Sequence, residues 1–155
     1  MIFKVDSVAL TRISRNMNLV KQVGNETYKN AMQRILDQTV ELAKKNAPMG
    51  DSGVLRGSIT GEMNSDGLTG IVTVGAKHAE FVEEGTGLYG PTKNYIYPSK
   101  AAVMVFAVNG ETVFAKRTRG QMGQHYMQKT AQEILPIINA EMEKAMLFQI
   151  GSIFE

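Results

Sequence analysis

The chain has no cysteine among its 155 residues. This absence excludes a disulfide framework and a thiolate metal site, and it permits folding in a reducing cytoplasm. No apolar run approaches the roughly 20 residues that a membrane span needs. The start of the chain, with Lys4 and Asp6 among its first six residues, has no long apolar run, so it is not expected to be a secretory signal. We therefore expect no contact with a membrane.

A strong excess of charge of one sign is also missing, since the net charge is +2. Nucleic-acid-binding domains usually carry a clear basic excess. The distribution is nevertheless uneven: residues 1–47, 48–90 and 91–155 carry net charges of +4, −4 and +2. If these segments lie on different edges of a subunit, opposite charges would favour the register of a head-to-tail contact between copies. An ordinary solvated surface accounts for the same pattern.

What the sequence does contain is typical of one globular domain over residues 1–155, with 43% hydrophobic and 21% charged residues. Apolar residues at three- and four-residue steps predict a long helix from about Ser14, with a break near Gly24 and an end before Pro48. Residues 1–13 could form a flexible arm or a short strand. A second helix is predicted from about Gln124, kinked or split at Pro136. An apolar tail, residues 147–155, needs a partner surface.

Two hairpins are predicted between these helices. The first joins residues 57–63 and 68–75 through Asp66-Gly67, and its β-branched segment 71–74 has the character of a buried strand. The second joins residues 103–108 and 111–115 through Asn109-Gly110, which suits a type I′ turn. A long mobile loop, residues 85–100, lies between them. The fold class is α+β, with a small antiparallel sheet of two hairpins packed against a long N-terminal helix and a C-terminal helix.

Two short blocks carry most of the information about function. The first runs from Ala47 through Pro48, Gly50 and Gly53 to Ile59, where a helix stops and a turn begins. The second is residues 81–87, Phe-Val-Glu-Glu-Gly-Thr-Gly. A turn before a strand in an unrelated protein would use the same residue types as the first block. The two blocks in this order resemble the "P-x-D-T-G-x-L-R-x-S-I" and "V-E-x-G-T-G" segments of a tail-component family of tailed phages.

The resemblance covers roughly residues 40–131 and implies a structural role with no catalytic activity. It implies a ring, of six copies in the family context, at the head-to-tail junction of a virion assembled in the host cytoplasm. The implied partners are neck or connector proteins and tail-tube or tail-terminator proteins. Residues 124–131 depart from the family pattern, since they keep Tyr126 and Ala131 but lack its two prolines. The residues that match the motif, with structural roles, are Asp51, Gly53, Leu55, Arg56, Ser58, Val82, Glu83, Gly85, Thr86 and Gly87. We also predict that Glu83 pairs with Arg56.

An enzyme is the weakest alternative. Asp51, His78 and Glu83 complete no nucleophile, metal or cofactor set, and a His-x-Glu pair without cysteines lacks the ligands of a zinc deaminase. We therefore predict no catalytic residue, no metal and no cofactor. A nucleic-acid-binding module that uses the basic residues 116–119 is the other alternative, and such residues could also touch DNA in a channel. The candidate interface residues are aromatic, basic or apolar: Tyr89, Tyr95, Ile96, Tyr97, Lys116, Arg117, Arg119, Phe148, Ile150 and Phe154.

Overall fold

A computed structural model describes residues 7–50, 53–108 and 110–154, with side chains for residues 26–50, 53–107 and 110–151. The helices are α1 (Ser7–Asn46), α2 (Val54–Gly57), α3 (Ala79–Glu84) and α4 (Tyr126–Phe154). The strands are β1 (Ile59–Met63), β2 (Gly70–Val74), β3 (Met104–Val108) and β4 (Glu111–Ala115). This mixture confirms the α+β class. The strands form two separate two-stranded sheets, β1 with β2 and β3 with β4, so the prediction of one sheet built from both hairpins is wrong.

Helix α1 is longer than the sequence pattern predicts. It runs without interruption for 40 residues, so the predicted break near Gly24 is wrong. It begins at Ser7, which makes a strand wrong for residues 7–12, whereas residues 1–6 lie outside the described part. The helix ends at Asn46, as expected from the proline two positions further on.

The first hairpin is confirmed, with narrower limits. The backbone N–H of Asn64 donates to the carbonyl of Thr69 at 2.8 Å, and the Asp66 carboxylate accepts the N–H of Leu68 at 2.8 Å. A short aspartate in a turn bonds nearby backbone in this way. Ile71 in β2 is exposed, so the prediction of a buried strand there is wrong.

The second hairpin is also confirmed. Its antiparallel register places Val105 opposite Phe114 and Phe106 opposite Val113. Gly110 has φ of 85°, which is the left-handed region that a tight hairpin turn uses. The preceding residues 85–103 contain neither helix nor strand, which confirms the long loop, although its mobility stays a prediction.

The chain forms two compact units, and the single-domain organisation stays a prediction. The first unit comprises the described parts of Met1–Glu41, Gly61–Val72 and Glu133–Glu155. Its core includes Ile35 and Leu36 of α1 and Ile134 and Ala145 of α4. The hairpin lies close against α1, because a Cβ added at Gly61 would sit 3.0 Å from Leu36 Cδ1.

The second unit comprises Leu42–Thr60 and Thr73–Gln132. Its buried apolar residues are Ala43, Ala47, Leu55, Ile59 and Tyr126. Buried Thr130 donates its hydroxyl to the carbonyl of Tyr126 at 2.7 Å, and it accepts the side-chain amide of Asn46 at 3.2 Å. Helix α4 begins in this unit and continues through Pro136, so the prediction of a split there is wrong.

Candidate functional site

Glu83, in the last turn of α3, caps the start of α4. Its Oε2 accepts the backbone N–H of Met127 at 2.9 Å, and its Oε1 accepts that of Gln128 at 3.0 Å. These are the second and third residues of α4, whose N–H groups have no partner inside the helix. A carboxylate at this end also favours the helix dipole. Glu83 therefore supplies, from 44 positions away, the cap that a residue next to the helix normally provides.

Two backbone hydrogen bonds also join the end of α3 to the residues just before α4. The carbonyl of Val82 accepts the N–H of Gln124 at 2.7 Å, and the carbonyl of Glu83 accepts that of His125 at 3.2 Å. His125 directly precedes α4 and has φ of 48°. The end of α3 and the start of α4 are thereby fixed through two carbonyls and one carboxylate.

The Gly-Thr-Gly turn continues this attachment along residues 119–123. Thr86 donates its N–H to the carbonyl of Gln121 at 2.8 Å and accepts the N–H of Gln121 on its hydroxyl at 2.9 Å. Leu88 donates to the carbonyl of Arg119 at 2.7 Å. Gly87 has φ of 63°, and a Cβ there would collide with the Arg119 carbonyl. The second glycine of the block is thus required by both its φ and its surroundings.

Tyr126, the first residue of α4, is buried. It is only 1% exposed, and its pKa is raised above 10.0, first by burial and second by the negative charge of Glu83. Both causes disfavour the phenolate. The ring therefore belongs to the packed core and is not poised to act as a proton acceptor at neutral pH.

The first block has a different set of contacts. Arg56 lies in α2 and donates its Nε–H to the carbonyl of Ala47 at 2.8 Å, just beyond the end of α1. A cation at a helix C-terminus satisfies free carbonyls and favours the dipole. The predicted pairing of Glu83 with Arg56 is therefore wrong. Arg56 bonds to the C-terminal end of α1, whereas Glu83 bonds to the N-terminal end of α4.

Ser58 joins the first block to the segment before α3. Its hydroxyl donates to the carbonyl of Leu55 at 2.8 Å and accepts the N–H of Ala76 at 3.1 Å. The strand predicted from residue 57 begins only at Ile59, since α2 occupies Val54–Gly57, and Leu55 and Ile59 are both buried. Gly53 has φ of 61° at the start of α2. Asp51 lies outside the described residues.

The two blocks meet around one small cavity of about 220 Å³. The first block lines it with Pro48, Gly53 and Leu55, and the second with Val82. His78 lies at the same cavity, but no group of three His, Asp or Glu side chains in the described chain is placed to hold a metal ion. Among the described residues, the arrangement joins helix ends and loops.

The predicted interface residues separate into two sets. Tyr89, Tyr97, Phe148 and Ile150 are exposed, whereas the side chain of Phe154 lies outside the described part. Tyr95 and Ile96 are only half-buried: the Arg117 guanidinium lies 4.3 Å from the centre of the Tyr95 ring, and Ile96 exchanges backbone bonds of 3.0 and 2.9 Å with Thr118. The loop is thus attached to the basic segment at these two positions. Lys116 and Arg119 are exposed.

Sequence reasoning missed the cap and several exposed apolar residues. The signal for the cap was present, since His125 is not a common cap residue and the first turn of α4 carries no acidic side chain. The exposed strand residues Val105 and Phe114 carried a weaker signal, because a strand with apolar residues on both faces is normally buried.

Part of the chain is similar to a known protein family. Residues 11–85 match the model of the family described as "Bacteriophage HK97-gp10, putative tail-component". The chain is similar to this phage family through that segment, which confirms the predicted resemblance. The match contains the whole first block and the second as far as Gly85, so its extent differs from the predicted residues 40–131. No curated protein and no solved structure matches the chain.

The family is described as a tail component, and the similarity supports a structural role in a bacteriophage. In the described residues, neither long helix is apolar enough to pass through a bilayer.

Proposed function

We propose that this protein joins the phage tail to the head, acting as a ring of copies that docks to the neck or connector on one side and to the tail tube or tail terminator on the other. The family match over residues 11–85 is the observation that carries this proposal. A subunit of such a ring works through its surfaces, so it needs a rigid frame and exposed contact residues.

The capped helix ends supply the frame. Glu83 fixes the start of α4, and Arg56 fixes the end of α1. Both belong to the motif blocks, so the motif is interpreted as a device that holds loops at fixed positions. Loops held on a rigid scaffold are where binding surfaces commonly lie.

Exposed apolar side chains supply the contact residues. The last turns of α4 expose Leu147, Phe148 and Ile150, and the loop exposes Tyr89 and Tyr97. Large exposed apolar groups of this kind mark protein interfaces. We propose the α4 residues as contacts with another virion protein, because their aromatic and aliphatic side chains gain free energy when they leave water.

Deletion of the gene from the phage genome tests the function. We expect separate DNA-filled heads and tails in electron micrographs of lysates, with joining restored by the wild-type gene in trans. Joined, infectious particles made without the protein would contradict the proposal. Native mass spectrometry of the purified protein, alone and with isolated tails, tests the ring: we expect a closed oligomer in at least one of the two samples.

Exposed Arg119 is proposed to face DNA in the channel. The Arg117 guanidinium lies over the Tyr95 ring, so we expect it to contribute less to DNA binding. Binding of an oligonucleotide by the assembled ring should weaken steeply with salt, as phosphate contacts do. Salt-independent binding, or none, would remove this contact.

A further inference from the structure

The β3–β4 hairpin carries apolar side chains on both faces. Directly opposed residues share a face, so Val105 and Phe114 form one apolar pair, and Phe106 and Val113 form the other. Val105 is 59% exposed and Phe114 is 68% exposed. A phenylalanine and a valine left together in water on one face mark a contact surface. Lys116 directly follows β4 and adds an exposed positive charge beside this face.

A groove of complementary character lies beside the Gly-Thr-Gly turn. Its volume is about 550 Å³, and its walls come from α3 and the long loop, with Phe81, Pro91, Thr92 and Ile96 among the lining residues. Phe81 is 58% exposed. Glu80 and Glu84, one helical turn apart on α3, also line it. The groove is therefore apolar with two carboxylates, and its volume is within the range of about 300–1,000 Å³ typical of binding pockets.

We propose that the hairpin of one copy docks in this groove of a neighbouring copy, with Phe114 as the anchor and Lys116 facing Glu80 and Glu84. An aromatic side chain that fills a pocket commonly dominates the binding energy of an interface. Opposite charges beside the anchor would set the register and speed the encounter. Both members of the contact are present on every chain, which is the reason for choosing a second copy as the occupant.

The contact joins two different surfaces of the same chain, so it is heterologous and passes from copy to copy. Contacts of this type close into rings when the rotation between copies permits. This inference rests on the proposed ring and gives it an interface. The Glu83 cap and the Gly87 turn serve the groove directly, since they hold the wall formed by residues 85–87.

The absence of cysteine makes disulfide trapping a clean test. One chain carries Thr112→Cys, on the same hairpin face as Phe114 but leaving the anchor intact. A second, tagged chain carries Thr92→Cys in the groove. After mixing and mild oxidation we expect the mixed disulfide at about tenfold the yield obtained when Ser65→Cys replaces Thr112→Cys. Ser65 lies exposed in the β1–β2 turn and serves as the matched control.

Two further variants test the chemistry of the contact. Adding Phe114→Ala to the Thr112→Cys chain should lower the yield by about tenfold, because a lost anchor weakens association by at least this factor. Lys116→Glu and Glu84→Lys should each lower it, and their combination across the interface should restore it. Circular dichroism of each variant would establish that the fold is retained.

A mixed-disulfide yield equal to that of the Ser65→Cys control would overturn the inference. If the wild-type protein still forms a closed oligomer by native mass, the interface assignment alone is wrong and the proposed ring stands. If it stays monomeric both alone and with isolated tails, the ring fails as well. Trapping of Thr92→Cys on a different virion protein in assembled particles would make that protein the occupant and would also refute the inference.

Discussion

The carboxylate of Glu83 accepts the backbone N–H of Met127 at 2.9 Å, so an acidic residue at the end of α3 caps a helix that begins more than forty residues later. A local cap is encoded within one turn of the chain. This one is formed only by the tertiary fold, and it makes the position of the Gly-Thr-Gly turn depend on the start of α4. Removing the carboxylate is therefore expected to affect two segments at once.

Replacement of Glu83 by alanine should lower the free energy of unfolding by about 1 kcal/mol, which is the usual effect of losing a helix cap. Glu83→Gln keeps an acceptor but loses the charge, so its loss should be smaller. Glu84→Ala is the control, because that neighbouring side chain is exposed and should change stability by less than about 0.5 kcal/mol. Urea unfolding measures all three. Equal values for Glu83→Ala and Glu84→Ala would show that the cap contributes nothing.

Gly87→Ala should be more damaging. Alanine at φ of 63° is strained, and its Cβ would meet the Arg119 carbonyl, which is backbone that cannot rotate away. We expect a loss of about 2 kcal/mol or more from strain and collision together.

Gly50→Ala provides the comparison for Gly87→Ala, since nothing lies within 4 Å of a Cβ at Gly50. Its effect should stay within about 0.5 kcal/mol. Thermal melts of the two variants, checked by urea titration, give the measurement. A Gly87→Ala protein as stable as Gly50→Ala would mean that the turn relaxes without cost.

Local chemistry explains which parts of the fold could be predicted. Pro48 ends α1 because proline restricts the backbone before it, and Gly110 closes its hairpin because a tight turn needs positive φ. The motif blocks resembled a phage family for the same local reason, since their residues fit particular turns. These features are all decided within a few residues of chain.

The predictions that were wrong concern features that depend on tertiary contacts or on the length of a whole helix. The residues next to Glu83 and Arg56 in the sequence do not indicate that both side chains bond to helix ends. Their opposite charges therefore favoured the prediction of a direct pair. Ile71 is β-branched, which indicates a strand but not its burial. Gly24 weakens a helix by only about 1 kcal/mol, and the length of α1 outweighs that local cost.

The separate contacts of Arg56 and Glu83 predict additive effects. Arg56→Ala removes the hydrogen bond to Ala47 and should destabilise by about 1 kcal/mol. Combined with Glu83→Ala, the two losses should sum to within about 0.5 kcal/mol, as independent sites do. A double-mutant cycle in urea measures this, with Arg56→Lys as a probe of geometry. A coupling energy well above 0.5 kcal/mol in the cycle would restore the direct pairing.

Acid sensitivity should trace to Glu141 in the first unit. Its carboxylate accepts the Lys144 ammonium at 2.8 Å and the Arg34 guanidinium at 2.7 Å, and these bonds, Lys144 first and Arg34 second, hold its pKa below 4.5. A carboxyl whose pKa is lower in the folded state contributes stability above its unfolded pKa, and this stability is lost as the pH falls through the folded value. We therefore expect part of the acid-induced loss of stability, below about pH 4.5, to disappear in Glu141→Gln, with urea unfolding from pH 7 to 3 as the measurement. Glu143→Gln, at an exposed neighbouring position, should keep the wild-type profile, and identical acid profiles for Glu141→Gln and the wild type would assign the sensitivity to other carboxylates.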